Sequence, residues 1–332
     1  MEQQNPQQRR FGFRRTPGRG PRRGTGRARA LMGAACAAVL AVVLAAGIYS
    51  FAQARSTAAN LTTTSAASAA PSATTTAEAS ASPSASPDAS AQASAPAAGA
   101  VDAALDTRIQ AILDANSQYQ IGVALVDLSQ GAGSADVHEY GVREKFVAAS
   151  TAKVLAAAAY YHLVETGAAS LDDPLGNYTA GFQLREMIQQ SDNDSWSLIM
   201  DAVGHEQLTE YAASLGVSYD PKINTLTPAE MATIVSRVYS GTLLNAGDTA
   251  QLLSYMQDTN YESLIPAAVP EGITVFHKYG LLGGELHDAG ILIRDGTAYA
   301  LVIYTKGQDL SDVPERTEVI HQLTQAVAGA LF

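Results

Sequence analysis

Residues 146–153 read FVAASTAK and open a long apolar pattern typical of a buried helix. Ser150 stands at the predicted helix start and Lys153 follows three residues later, so one helical turn brings the lysine amine near the serine Oγ. A serine needs a base to become a nucleophile, and a lysine desolvated between helices can have its pKa lowered enough to serve. An ordinary N-cap serine beside a solvated lysine would give the same pattern.

Two further polar segments interrupt the apolar chain. Residues 190–194 read QSDND, where Ser191 could pass a proton and Asn193 could hold a substrate carbonyl; a plain Ser/Asp helix cap is the alternative. Residues 277–280 read HKYG within a predicted strand. There, Lys278 could bind a carboxylate and Gly280 could let a ligand approach closely, although an edge-strand lysine on a hairpin fits equally well.

The order of predicted elements indicates the fold class. Alternation predicts two early strands joined by a turn at residues 130–133, and helical periodicity predicts a mostly helical middle with breaks before three prolines. The predicted elements are strands at 120–128 and 138–140, helices within 151–257, strands at 275–279, 289–293 and 298–304, and a helix at 315–331. We therefore predict an α+β domain over residues 100–332, with an antiparallel sheet built from both chain ends and a helical lobe between them.

Together and in this order, Ser150-x-x-Lys153, Ser191-Asp192-Asn193 and Lys278-Tyr279-Gly280 resemble the motifs of the penicillin-recognising serine hydrolases, particularly class A β-lactamases. Thr227-Pro228 is similar to a helix start that this family has between its second and third motifs. The resemblance covers roughly residues 101–332 and implies a β-lactamase/transpeptidase-like fold. It also implies a serine hydrolase that forms an acyl-enzyme with a β-lactam or a peptidoglycan stem peptide.

The resemblance implies a role for each motif residue. Ser150 would be the acylated nucleophile, Lys153 its base or proton relay, and Ser191 the proton shuttle to the leaving nitrogen. Asn193 would hold the amide side chain of the substrate and Lys278 its carboxylate. The backbone N–H groups of Ser150 and Leu281 would form the oxyanion hole.

The sequence departs from this family in two places. Class A enzymes carry a deacylating Glu before the threonine-proline segment, but residues 216–224 are short and contain Asp220 as their only acid, a residue typical of a turn before proline. Tyr279 also stands where the family has Thr or Ser, which could narrow the pocket or change which carboxylate is accepted. A D,D-peptidase-like protein, or a penicillin- or peptidoglycan-binding sensor that does not hydrolyse, therefore remains an alternative.

The first hundred residues differ from the rest in composition. Residues 1–29 are a basic tail, which we interpret as cytoplasmic and disordered, with an RNA-binding Arg/Gly stretch as the alternative. Residues 30–54 carry no charge and are predicted to be a transmembrane anchor, or else a signal segment cleaved near Ala54. Residues 55–99 are rich in Ala, Ser, Thr and Pro and are predicted to be a disordered linker that holds an extracytoplasmic domain near the cell wall.

Charge and cysteine content exclude several classes of protein. The chain carries a formal net charge of −11, and the acidic residues lie mainly after residue 100, which argues against a nucleic-acid partner. Cys36 is the only cysteine, so disulfides within the chain and thiolate metal sites are excluded. The histidines lack metal-ligand spacing, and His277 and His287 are interpreted first as polar hairpin residues and second as substrate contacts. We expect a monomer without metal or cofactor.

Overall fold

The computed structural model of the chain describes residues 101–129 and 136–332. The predicted tail, membrane segment, linker and 130–133 turn lie outside the described residues. Within the described residues, no helix is long and apolar enough to span a lipid bilayer.

A five-stranded antiparallel sheet forms the centre of the domain, with strand order β2-β1-β9-β8-β7. The strands are β1 (Gln120–Asp127), β2 (Val137–Gly141), β7 (Thr274–Leu282), β8 (Glu285–Arg294) and β9 (Thr297–Lys306). Four further short strands pair as β3 (Phe146–Val147) with β6 (Thr225–Leu226) and β4 (Pro174–Leu175) with β5 (Tyr178–Thr179). Strand β1 pairs with β9 in a register that joins Gln120 to Lys306 and Asp127 to Tyr299. The sheet is therefore assembled from both ends of the domain, and the α+β prediction is confirmed.

Helices cover both faces of this sheet. One face carries α1 (Ala103–Ala115) and the terminal α9 (Val313–Leu331), which share a hydrophobic cluster with the sheet. The other face carries the helical lobe and a second, larger cluster. The lobe consists of α2 (Lys153–Glu165), α3 (Ala180–Gln189), α4 (Asn193–Val203), α5 (His205–Ser214), α6 (Pro228–Tyr239) and α7 (Ala246–Tyr255), and a short α8 (Ile265–Ala268) follows it. Helix α2 is apolar on nearly every side because it runs through the middle of the larger cluster.

Local sequence explains where two of the lobe helices begin. Thr227 and Glu230 form a reciprocal capping box at the start of α6, and Pro228 fills the first helical turn, where no N–H is needed. At α4 the N-cap is Asp192, whose carboxylate accepts from Ser195 N at 2.7 Å. The cap interpretation of residues 190–194 is thus correct for Asp192, while Ser191 and Asn193 are left available for other contacts.

Candidate active site

Ser150 lies on a single 3₁₀ turn, Ala149–Ala152, that leads directly into helix α2. Ser150 does not cap this helix: the N-cap position belongs to Ala152, and no side-chain capping bond is present. The half-buried Ser150 faces a cavity of about 130 Å³, whose other lining residues are Ala149, Lys153, Asn193, Trp196, Asn224, Leu281 and Leu282. The helix-cap alternative for Ser150 is therefore wrong.

Lys153, the first residue of α2, is buried with 2% of its surface exposed. Its Nζ donates to Ser191 O at 2.6 Å and to Asn193 Oδ1 at 2.8 Å, and lies 3.4 Å from Ser191 Oγ. Burial lowers the pKa of Lys153 to about 8, although the Asp192 carboxylate opposes the shift. The amine makes no hydrogen bond to Ser150 Oγ, so the first and second motifs meet through the lysine and the Ser191 segment.

The Ser191 segment is held in an unusual backbone conformation. Ser191 has a φ of 55°, in the left-handed region that few non-glycine residues adopt. The side chain of Asn260 donates to Gln190 O at 2.8 Å, and the backbone N of Asn260 donates to Gln189 O at 3.0 Å. Asn260 and Lys153 thus fix both sides of the turn that presents Ser191 and Asn193 to the cavity.

Strand β7 closes the cavity on the side of the third motif. A Cβ on Gly280 would lie 3.1 Å from Ala148 O and 3.2 Å from Ser150 N, so the absence of a side chain allows the turn that carries Ser150 to pack against the strand. We expected Gly280 to admit a ligand, but in the structure it admits the backbone that carries Ser150. Leu281 follows it and lines the cavity beside Ser150.

Lys278 lies on β7 but does not line this cavity. It has no exposed surface, its Nζ donates to Tyr279 O at 3.3 Å, and the Nζ lies 4.0 Å from the centroid of the Tyr279 ring. Burial, with the nearby charge of Lys153, holds the pKa of Lys278 well below its ordinary value. Lys278 therefore lies next to the cavity but is buried beneath its neighbours.

Both histidines lie on the β7–β8 hairpin, where they are buried, and neither lines the Ser150 cavity. His277 has no exposed surface and bonds through Nδ1 to Asp288 Oδ1 at 2.9 Å and through Nε2 to Glu262 Oε1 at 3.1 Å. Burial alone would lower the pKa of His277, but the Asp288 and Glu262 carboxylates outweigh it and raise the pKa to about 9. His287 is equally buried, and Val147 O lies 2.9 Å from its Nε2.

Asn224 is a site residue that the sequence did not reveal. It has a φ of 50°, its backbone O accepts from Ala148 N at 2.8 Å, and its Nδ2 donates to Ala149 O at 3.1 Å. These bonds fix the turn before Ser150, where Ala149 also has a positive φ of 48°. The only sequence signal is its type, because Asn tolerates the left-handed conformation better than most residues.

The short loop that contains Asp220 brings no carboxylate into the cavity. Asp220 is exposed, its Oδ1 accepts from Lys222 N at 2.9 Å, and it is not among the lining residues. None of the residues that line the cavity is acidic. Among the residues that line the cavity, Lys153 is the one that can act as a general base. Across residues 101–129 and 136–332, no group of three or more His, Cys, Asp and Glu is arranged to hold a metal ion.

Sequence comparisons match most of this domain to known proteins. The model of the β-lactamase enzyme family matches residues 104–331. A β-lactamase from Proteus vulgaris is 25% identical over 252 residues, which cover 65% of this chain and 92% of that protein. The β-lactamase OXY-2 from Klebsiella oxytoca is 25% identical over 256 residues, or 66% of this chain and 87% of that protein.

Solved structures share the fold. PBP-A superposes with a TM-score of 0.62 at 24% identity, covering 69% of this chain and 96% of PBP-A. A β-lactamase from Desulfarculus baarsii superposes with a TM-score of 0.61 at 23% identity, covering 69% of this chain and 98% of that protein. At these identities the superpositions establish the architecture alone.

Proposed function

Because the chain belongs to the β-lactamase enzyme family and is a serine hydrolase of the class A type, we propose that Ser150 is acylated by a β-lactam or a peptidoglycan stem peptide. One observation carries this proposal: the buried, low-pKa amine of Lys153 bridges Ser191 and Asn193 at the edge of the cavity that Ser150 faces. A solvent-exposed lysine would stay protonated at neutral pH and could not act as a base.

The positions of Ser150, Lys153 and Ser191 support the following acylation step. Neutral Lys153 accepts the proton of Ser150 Oγ, directly or through Ser191, while Oγ forms a bond to the substrate carbonyl carbon. The backbone N–H groups of Ser150 and Leu281 stabilise the oxyanion. The C–N bond then breaks, and the proton passes from Lys153 through Ser191 to the leaving nitrogen. Asn193 holds the substrate amide.

Deacylation is the step for which the cavity is poorly equipped. Hydrolysis of the acyl-enzyme needs a base that activates water, and the residues lining this cavity contain no carboxylate. We therefore propose that the acyl-enzyme is long-lived. This favours the second candidate, a penicillin- or peptidoglycan-binding protein or sensor, over fast β-lactam turnover. For comparison, a mutant of PBP-A has been solved as an acyl-enzyme complex with penicillin G.

We further propose that the domain acts outside the cytoplasm. The uncharged segment at residues 30–54 and the arginines before it support export with a membrane tether, and Ala52-Gln53-Ala54 supports the alternative of a secreted protein. The polar linker at residues 55–99 would then let the domain reach the cell wall. Fractionation of cells expressing a tagged chain, with protease applied from outside, tests both versions.

Intact-mass spectrometry of the full chain after incubation with a penicillin tests the acylation. We expect a mass increase equal to the whole drug in the wild type and none in Ser150→Ala. Persistence of the adduct for hours would support a penicillin-binding protein or sensor, whereas loss within minutes would establish a β-lactamase. An unmodified wild type with the drug intact at high protein concentration would refute acylation by β-lactams.

A further inference from the structure

The Lys278 amine, the group expected to receive a substrate carboxylate, is covered by the neighbouring tyrosine. Lys278 has no exposed surface, and its Nζ lies 4.0 Å from the Tyr279 ring centroid while donating to Tyr279 O. Lys278 therefore already has partners in the absence of any substrate.

The Tyr279 ring is braced from several sides. Its hydroxyl donates to Asn260 Oδ1 at 2.9 Å, and its ring packs against Tyr261 with centroids 4.9 Å apart. Asn260 is itself held by the carbonyl groups of Gln189 and Gln190. Because moving the ring would break these contacts together, the cover over Lys278 is part of the structure rather than a free side chain.

The cavity offers no other free cation to a substrate. Lys153 is the only basic residue among those lining it, and its amine is engaged by Ser191 and Asn193. A carboxylate brought into the cavity would lose its hydration without gaining an ion pair, which is unfavourable. A substrate that carries a neutral group in place of the carboxylate would not incur this cost.

We propose that Tyr279 is a specificity-determining residue: it withholds Lys278 from the substrate, so that the site favours acyl donors without a free carboxylate beside the scissile bond, such as esters and internal amides. The inference rests on acylation at Ser150 as proposed above, and it narrows the substrate class of that site.

A penicillin and its methyl ester form a matched pair of probes, since both carry the same β-lactam and differ only in the carboxylate. We measure acylation rates of the full chain by intact mass. The wild type should react with the ester at least as fast as with the acid. Tyr279→Thr, which removes the ring, should shift the ratio of rates toward the acid by about tenfold or more, the value of one hydrogen bond to a charged group. Tyr279→Phe keeps the ring and its contact with Tyr261 but loses the bond to Asn260, so its ratio should stay closer to the wild type than that of Tyr279→Thr.

A wild type that prefers the acid by tenfold or more, or a Tyr279→Thr ratio equal to that of the wild type, would overturn the proposal. A second measurement does not depend on acylation. Reductive methylation followed by peptide mapping should leave Lys278 unlabelled in the wild type and Tyr279→Phe but labelled in Tyr279→Thr, with exposed Lys222 labelled in all three. Labelling of Lys278 as fast as Lys222 in the wild type would refute the claim that Tyr279 keeps Lys278 inaccessible. This result can be read even if no probe acylates Ser150 and the proposed function itself fails.

Discussion

At the residue scale, backbone strain is concentrated around the cavity. Five non-glycine residues among those described have a positive φ, and three of them, Ala149, Ser191 and Asn224, lie around Ser150 and Lys153. Each such residue costs on the order of 1–3 kcal/mol and persists only where neighbouring bonds impose it. Here the bonds are those of Asn224 to the 148–149 backbone and of Lys153 to Ser191.

The strained residues also show which parts of the site could not be predicted from the sequence. Ser150, Lys153, Ser191 and Asn193 could be predicted because their side-chain chemistry and their order form a recognisable pattern. Asn224 could not, because its contribution lies in a backbone angle and in bonds to a turn 75 residues away. The burial of Lys278 could not be predicted either, since it depends on the position of the Tyr279 ring beside the amine.

The lowered pKa of Lys153 predicts how acylation depends on pH. Below a pKa of about 8 the amine is mostly protonated, so the acylation rate should rise by roughly tenfold per pH unit from pH 6 and level off above about pH 8. Rapid-mixing measurement of penicillin or penicillin methyl ester acylation between pH 6 and 10 checks this. Lys153→Arg, which cannot deprotonate, should be inactive throughout. A wild-type rate independent of pH would contradict the assignment.

At the scale of elements, strand β7 decides the geometry of the site because residues from two motifs lie on it or against it. The burial of its polar residues could not be predicted from their place on a hairpin. Helices cover both faces of this sheet, so His277 and His287 are buried and paired. By contrast, the helix start at Thr227-Pro228 was already indicated by the resemblance, and the structure shows a capping box there.

The close contact at Gly280 predicts a large effect of one methyl group. In Gly280→Ala the new Cβ would press on Ala148 O, Ala149 Cβ and Ser150 N, with an overpacking cost of about 1–3 kcal/mol. Displacement of the Ser150 turn should lower the acylation rate by about tenfold or more, because positioning errors are costly in catalysis. Gly329→Ala, in open space on α9, should leave the rate unchanged. Equal acylation rates in the two variants would show that the Gly280 contact does not position Ser150.

The buried pair of His277 and Asp288, with the exposed Glu262 beside it, predicts that stability falls at alkaline pH. Because the folded pKa of about 9 lies above the ordinary value, protonation of His277 stabilises the folded state fully below about pH 6.5, and this contribution is lost as the pH rises through 9. Relative to His277→Gln, the wild type should lose up to about 3 kcal/mol of unfolding free energy between pH 6 and 9.5. Urea denaturation of both proteins measures it, and a constant difference would contradict the charged cluster.

At the scale of the whole domain, the terminal helix α9 is required for the sheet to be covered. It supplies Val319, Ile320, Leu323 and Val327 to the cluster on the sheet face opposite the active site, and its buried Arg316 donates to Gly284 O at 2.7 Å and to Asp309 O at 3.0 Å. Without the helix this face of β8 and β9 would be exposed to water.

A chain that ends at residue 312 should therefore fail to fold, although the Ser150 cavity and all three motifs would still be present in its sequence. Loss of the near-ultraviolet circular dichroism signal and of soluble protein would check this, with the full chain as the reference. A soluble, cooperatively unfolding truncated chain would show that the helix merely adds stability. The α+β arrangement could be predicted because the order of strands and helices allows few topologies, while the need for this helix is visible only in the packing.

The pairing of β1 with β9 also has a consequence for biosynthesis. The partner of Gln120 is Lys306, so the first strand of the sheet has no permanent neighbour on that side until nearly the whole domain has left the ribosome. At about 5–20 residues per second, that wait is roughly 10 to 40 s. During this interval the apolar strand is exposed to chaperones, proteases and other nascent chains.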